Sequence, residues 1–267
     1  MKKQTLIAFA LVITLAALGF GLINRDSPKE DLLAKSTNSI PETDQNMVTK
    51  EFKIFSDFIY DIGPRFGPIT KSEIGKITSI EAFLEDEVIQ NMANIKSTSV
   101  ILVVDDEESH IRAYGNSRDF TEAQLDILRN FDYSSSFVMR VDFTEKDKAS
   151  GQLINNYRSP YHTIVPEEQA RYSEGKESLK LFLKDQIQSE LIGVNPEKLK
   201  SAKLYFTISE NGILKNIRLD RDSGYPEVDK KMIELMSELP GTWSPAKNSD
   251  GEPVIQELVV SFGLMGC

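Results

Sequence analysis

Apolar and polar positions alternate along "SSFVMRVDF", with Phe137, Met139, Val141 and Phe143 on one side and Val138, Arg140 and Asp142 on the other. A period of two predicts a strand with one packed face. Upstream, the apolar run of "STSVILVVDD" gives way to the turn-rich "DDEES" and then "HIRAYG", which predicts a hairpin. A second hairpin is predicted to join the alternating strand to "NNYRSPYHTIV" through the polar loop "TEKDKASGQ". Between the two hairpins the period lengthens. In "FTEAQLDILRNF", Thr121 is a good N-cap and Leu125, Leu128 and Phe131 recur at helical spacing, so a short crossover helix is expected. Further on, Leu179, Phe182, Leu183, Ile187 and Leu191 fall on one stripe of an amphipathic connecting helix.

From Ala202 the pattern becomes strand, hairpin, strand, helix, strand. Leu204, Phe206 and Ile208 share one face of "KLYFTIS", and Asn211-Gly212 supplies a tight turn that accepts positive φ. "ILKNIRLDRDSG" returns. Pro226 opens a helix with Glu227 and Asp229 in its first turn, where carboxylates favour the positive end of the helix dipole. Its buried stripe is Val228, Met232, Leu235, Met236 and Leu239. In "PVIQELVVSF", Val254, Leu258, Val260 and Phe262 are expected inward, and Ile255, Glu257, Val259 and Ser261 on the other face. Trp243 and Pro245 are expected to join the core, the Trp as a plug that fixes how "SPAKNSDGEP" leads into the last strand.

The first residues carry a different signal. Thr5 to Ile23 contain no charge, and as a helix they would be roughly 28 Å long, about the thickness of a hydrocarbon core. With Lys2 and Lys3 on the cytoplasmic side, the bulk of the chain is expected outside the inner membrane, in the periplasm of a two-membrane cell. A cleaved signal peptide is the alternative, with Gly19 and Gly21 as its small residues. The reading is therefore α+β in class: an anchor at 1–23, a polar linker at 24–46, a β-rich unit at 47–166, a helical connector at 167–201 and a small ββαβ unit at 202–267. As a flexible coil the linker would reach only about 27 Å, keeping the first folded unit near the membrane.

Composition narrows the chemistry. A formal net charge of −10, with no cluster of Lys and Arg, argues against a nucleic-acid partner. The single cysteine, Cys267, permits no intramolecular disulfide and no cysteine-based metal site. The run Asp105, Asp106, Glu107, Glu108 lacks the donor spacing and central Gly of a calcium loop and reads as a solvated hairpin turn. His110 and His162 sit on separate predicted strands and read as ordinary surface or half-buried histidines. With no nucleophile elbow and no phosphate-cradling loop, no catalytic residue, metal or cofactor is expected. "DIGPRFGPI", which places Arg65 between two Gly-Pro pairs, reads as a rigid turn or as a binding loop.

The ordered set of Asn211-Gly212, the helix ending in "LP", Trp243 and Pro245, Gly251 and Pro253, and the closing strand resembles the C-terminal domain of the TonB energy-transducer family over residues 202–266. That resemblance implies an inner-membrane anchor, a periplasmic bulk and a role in transmembrane transport. A segment of an outer-membrane TonB-dependent receptor would pair with an edge strand, here Ile255, Glu257, Val259 and Ser261. It also implies inner-membrane proton-driven motor proteins as partners and leaves room for a homodimer. The chain departs from the family: no histidine lies in the anchor, and a short tether and folded unit replace the usual Pro-rich spacer. These departures keep open a non-energised periplasmic scaffold that uses the same domain for envelope assembly. The middle unit is similar in outline to β-rich periplasmic domains of gliding-motility shaft proteins, which implies a β-sandwich.

Overall fold

The structure, a computed structural model, describes residues 55–265, all within one compact unit. The expected anchor, the linker and Cys267 lie outside the described residues. Among the described residues no helix is long and apolar enough to cross a membrane. In chain order the first part comprises β1 (Ile59–Gly63), β2 (Gly67–Thr70), α1 (Lys71–Ile74), a 3-10 turn (Ile80–Phe83), α2 (Asp86–Asn91), β3 (Met92–Val104) and β4 (Glu107–Gly115). Next come α3 (Glu122–Arg129), β5 (Ser136–Lys146), β6 (Leu153–Arg158), β7 (Tyr161–Val165), β8 (Arg171–Tyr172) and α4 (Lys176–Gln186). The last part holds β9 (Ser201–Ile208), β10 (Leu214–Arg221), α5 (Pro226–Ser237), β11 (Trp243–Ser244), β12 (Ala246–Lys247), β13 (Pro253–Val254) and β14 (Gln256–Gly263).

Two sheets organise the chain. The larger has the order β2-β7-β5-β3-β4, with β6 also pairing β5, and only its β2–β7 contact is parallel. Phe137, Met139, Val141 and Phe143 are fully buried on one face against the short helices, where Leu125, Leu128 and Phe131 also sit. Thr121 caps α3 as its sequence suggests, in a reciprocal box with Gln124. The β-sandwich expected for this region is replaced by one sheet with helices on one face. Its strands bring one large apolar face, on which the helices between them form the second layer, while a smaller cluster of Ile101, Val103 and Val138 with Phe66 is buried on the opposite face.

The smaller sheet is antiparallel, with the order β1-β14-β9-β10. Leu204, Phe206, Ile208, Leu258, Val260 and Phe262 point into a core closed by Met232 and Leu235 of α5 and by Leu179 and Leu183 of α4. Each such side chain contributes about 1.5–3 kcal/mol relative to being exposed. Gly212 turns the β9–β10 hairpin at φ +73°, and a Cβ there would collide with the Trp243 carbonyl oxygen. Trp243 and Pro245, expected inside, are half-buried. The Trp packs its ring 5.4 Å from Phe206 and 5.5 Å from Tyr172.

The fourth strand of this sheet comes from outside the C-terminal segment. β1 belongs by sequence to the β-rich unit, yet it pairs with β14, and Phe58, Ile59 and Ile62 enter the C-terminal core. A register shift between Ile59 and Asp61 lets both isoleucines face inward although they are three residues apart. The predicted last strand is also broken: β13 pairs with β12, Ile255 lies between strands, and β14 begins at Gln256.

Candidate functional site: a closed strand edge and the groove beside it

The sequence placed the closing strand at an edge, open to an incoming segment. The structure corrects that placement, because β14 is an interior strand with β9 on one side and β1 on the other. Val259 and Ser261 stand opposite Gly63 and Asp61. Beyond each end of that stretch, Gly263 donates its N–H to the Phe58 carbonyl at 2.9 Å, and Glu257 donates its own to the Ser134 hydroxyl at 2.9 Å. A partner strand would therefore meet no free donors along this side. The outward side chains are covered too. Val259 and Ser261 are buried, and Lys203 Nζ donates to Ser261 Oγ at 2.7 Å. Glu257 accepts from Arg218 at 3.2 Å, while that guanidinium lies 4.2 Å over the Tyr205 ring. Of the four expected contact residues, Ile255 alone is well exposed.

What covers this face is the turn between β3 and β4. Asp105 and Asp106 adopt positive φ of 50° and 61°, a conformation Asp tolerates better than most residues. The hairpin is as the sequence suggests, but Asp106 is not solvated: its side chain is 8% exposed. Arg65 Nε and Nη2 donate to its two oxygens at 2.7 and 2.5 Å, and Arg221 Nη2 reaches Oδ2 at 2.7 Å. Burial works to raise the Asp106 carboxyl, but the bonds from Arg65 and the charges of Arg65, Arg221 and Lys203 outweigh it, so its pKa falls below the ordinary value. Burial, with the Asp106 charge, pushes Tyr205 up to about 12. This clasp joins three distant segments, and its residue types are those of a fork-to-carboxylate pair.

Beside the closed edge lies a groove of about 820 Å³. One wall is the Gly63–Pro68 loop, the other runs from Gln169 to Tyr172, and Leu258 and Trp243 line it between them. β8 pairs with β11, and Tyr172 Oη donates to the Pro240 carbonyl, so the second wall is tied to the Trp243 segment. The lining is aromatic and Gly-Pro-rich. Lys176 pairs with Asp61 at 2.7 Å, whereas Arg171 is exposed and makes no ion pair among the described residues. Trp243 Nε1 is buried with no acceptor among the described residues. The sequence singled out Trp243 and "GPRFGP" separately, and the fold brings them to one cavity. Tyr172 was missed; nothing local distinguishes it from other aromatics before β8 is seen to pair with β11.

The histidines are far apart in role. His110 is exposed. His162 is half-buried with ring centroids 5.2 Å from Phe83 and 5.6 Å from Phe137, and its Nε2 has no partner among the described residues. Burial lowers its pKa, against a backbone hydrogen bond with Gly67. Among the described residues no group of three or more His, Cys, Asp or Glu is placed to hold a metal ion. The groove can exclude water around an extended chain and offer aromatic faces. No family model, curated protein or solved structure matches the chain.

Proposed function

We propose that this chain is a non-catalytic interaction protein of the cell envelope, anchored in the inner membrane by residues 1–23, that holds an extended segment of a partner protein in the groove between the Gly63–Pro68 loop and Trp243. The observation that carries this reading is the pairing of β1 with β14. The edge suited to strand addition is filled by the chain itself, and an aromatic groove of about 820 Å³ lies beside it. It favours the non-energised scaffold over the transducer. A photoreactive residue at Phe66 should capture a partner in cells, while the same probe at exposed Leu181 on α4 should not. Equal capture at both positions, or none at Phe66, would exclude the groove.

The second reading is a TonB-like transducer that engages an outer-membrane receptor segment. The β9–β10–α5–β14 order, with Trp243 before the last strand, supports it, since the resemblance over residues 202–266 rests on that order. It requires β1 to leave β14, withdrawing Phe58, Ile59 and Ile62 from the core. The two readings thus differ in one physical step.

A further inference from the structure

We infer that β6 is a dimerisation strand, pairing antiparallel with β6 of a second copy so that the larger sheet continues across both chains. This inference is independent of the groove. Among the described residues β6 pairs only with β5, leaving its other side at a sheet edge. The hydrogen-bonding direction along it follows from two flanking bonds: Met139 N–H donates to the Pro160 carbonyl at 3.0 Å and Asp147 N–H to the Gln152 carbonyl at 2.8 Å. Both lie on the β5–β6 register, and bonded pairs alternate in an antiparallel ladder, so Arg158, Asn156 and Ile154 spend their backbone groups on β5. Leu153, Asn155 and Tyr157 turn theirs outward.

Two of the other edges, β10 and β4, carry devices that discourage pairing. β10 is interrupted by register shifts with Asn216 at positive φ, and β4 has a register shift and folds Arg112 back onto its own Ser109 carbonyl. β6 keeps an unbroken register over its whole length, contains no Pro or Lys, and exposes Leu153 by 56%, Ile154 by 42% and Tyr157 by 53%. Among the described residues only Tyr157 is occupied at its outward backbone groups, its N–H by Asn156 Oδ1 and its carbonyl by Arg158 Nη1, and both side chains can turn aside.

A second copy fits this edge because the strand is self-complementary about Asn155. A two-fold axis there sets Asn155 opposite its own counterpart, Leu153 opposite Tyr157, and Ile154 opposite Asn156. Arg158 then meets Gln152, so no like charges face each other. The outward groups of Leu153, Asn155 and Tyr157 bond to one another across the axis.

The test uses the full-length chain in membranes or mild detergent, with Cys267→Ser to remove the native thiol. Asn155→Cys should give a disulfide-linked dimer on mild oxidation, since opposite Cα atoms in such a pair lie about 5.5 Å apart. Leu153→Cys alone should not, because its counterpart would be roughly 13 Å away along the strand. Chains carrying Leu153→Cys and Tyr157→Cys should crosslink when mixed. Asn155→Pro, which removes an outward N–H without touching the β5 ladder, should turn the dimer into a folded monomer whose melting temperature, unlike that of the parent dimer, does not change with protein concentration. No Asn155→Cys dimer, equal crosslinking at Leu153, or a dimer that survives Asn155→Pro would each overturn the inference.

Discussion

Gly63 stands opposite Val259 in the ladder between β1 and β14, which makes the last strand of the chain an interior one. At an edge, Val259→Pro would remove a donor meant for a partner and leave the fold intact. Inside a sheet the same change breaks a ladder bond and displaces a buried side chain. Val259→Pro should therefore cost about 3 kcal/mol or more, read as a lower urea midpoint, whether or not any partner is present.

Trp243 separates packing from hydrogen bonding. Its ring touches Phe206 and Tyr172, but its Nε1 has no acceptor among the described residues. Trp243→Ala should destabilise by about 3 kcal/mol, whereas Trp243→Phe, which keeps an aromatic ring and discards the unpaired N–H, should cost about 1 kcal/mol. A large loss with Phe would mean that the indole nitrogen is satisfied in solution.

Where local pattern met local packing, the fold was legible. The alternation in β5 shows because one face packs against helices along its length, and the Thr121 cap is recognisable because its partner Gln124 is three residues away. β1 was not legible. The irregularity between Ile59 and Asp61 puts two core residues three apart, a spacing that breaks period two, and its partner strand ends the chain. Asp106 failed for another reason. Its sequence neighbours are acidic and exposed, while Arg65 and Arg221 reach it only through tertiary structure. Both Val138 and Val259 are placed on outer faces by alternation yet are buried: Val138 packs with Ile101, Val103 and Phe66, and Val259 lies where the β3–β4 turn and Ser134 close against the smaller sheet.

The Asp106 clasp predicts an acid-sensitive contribution to stability. The folded-state pKa of Asp106 lies below its unfolded value, so the unfolded chain binds the proton more readily and stability falls as pH drops through about 4. Asp106→Asn should be less stable at pH 7 and should flatten the pH dependence of the melting temperature below that point. Asp106→Ala leaves Arg65, 14% exposed, without its carboxylate and should cost about 3 kcal/mol.

His162 acts in a higher window. Burial lowers its folded-state pKa, so on acidification the unfolded chain takes up this proton first, and stability is lost as pH falls below about 6.5. His162→Phe, placed among Phe83 and Phe137, should remove the change in urea midpoint between pH 7 and pH 5.5. An unchanged slope in that variant would assign the effect elsewhere.

The central claim is that a partner docks in the groove while β1 stays on β14. Asp61 and Ser261 face each other across that ladder, so Asp61→Cys with Ser261→Cys, in a Cys267→Ser chain, can lock the two strands by a disulfide. Photocapture from Phe66 should then be measured in the oxidised and reduced states. Equal capture in both is the result expected for a scaffold whose own strand permanently closes the edge. Capture lost on oxidation and restored by reduction would show that β1 must leave β14, and would contradict it.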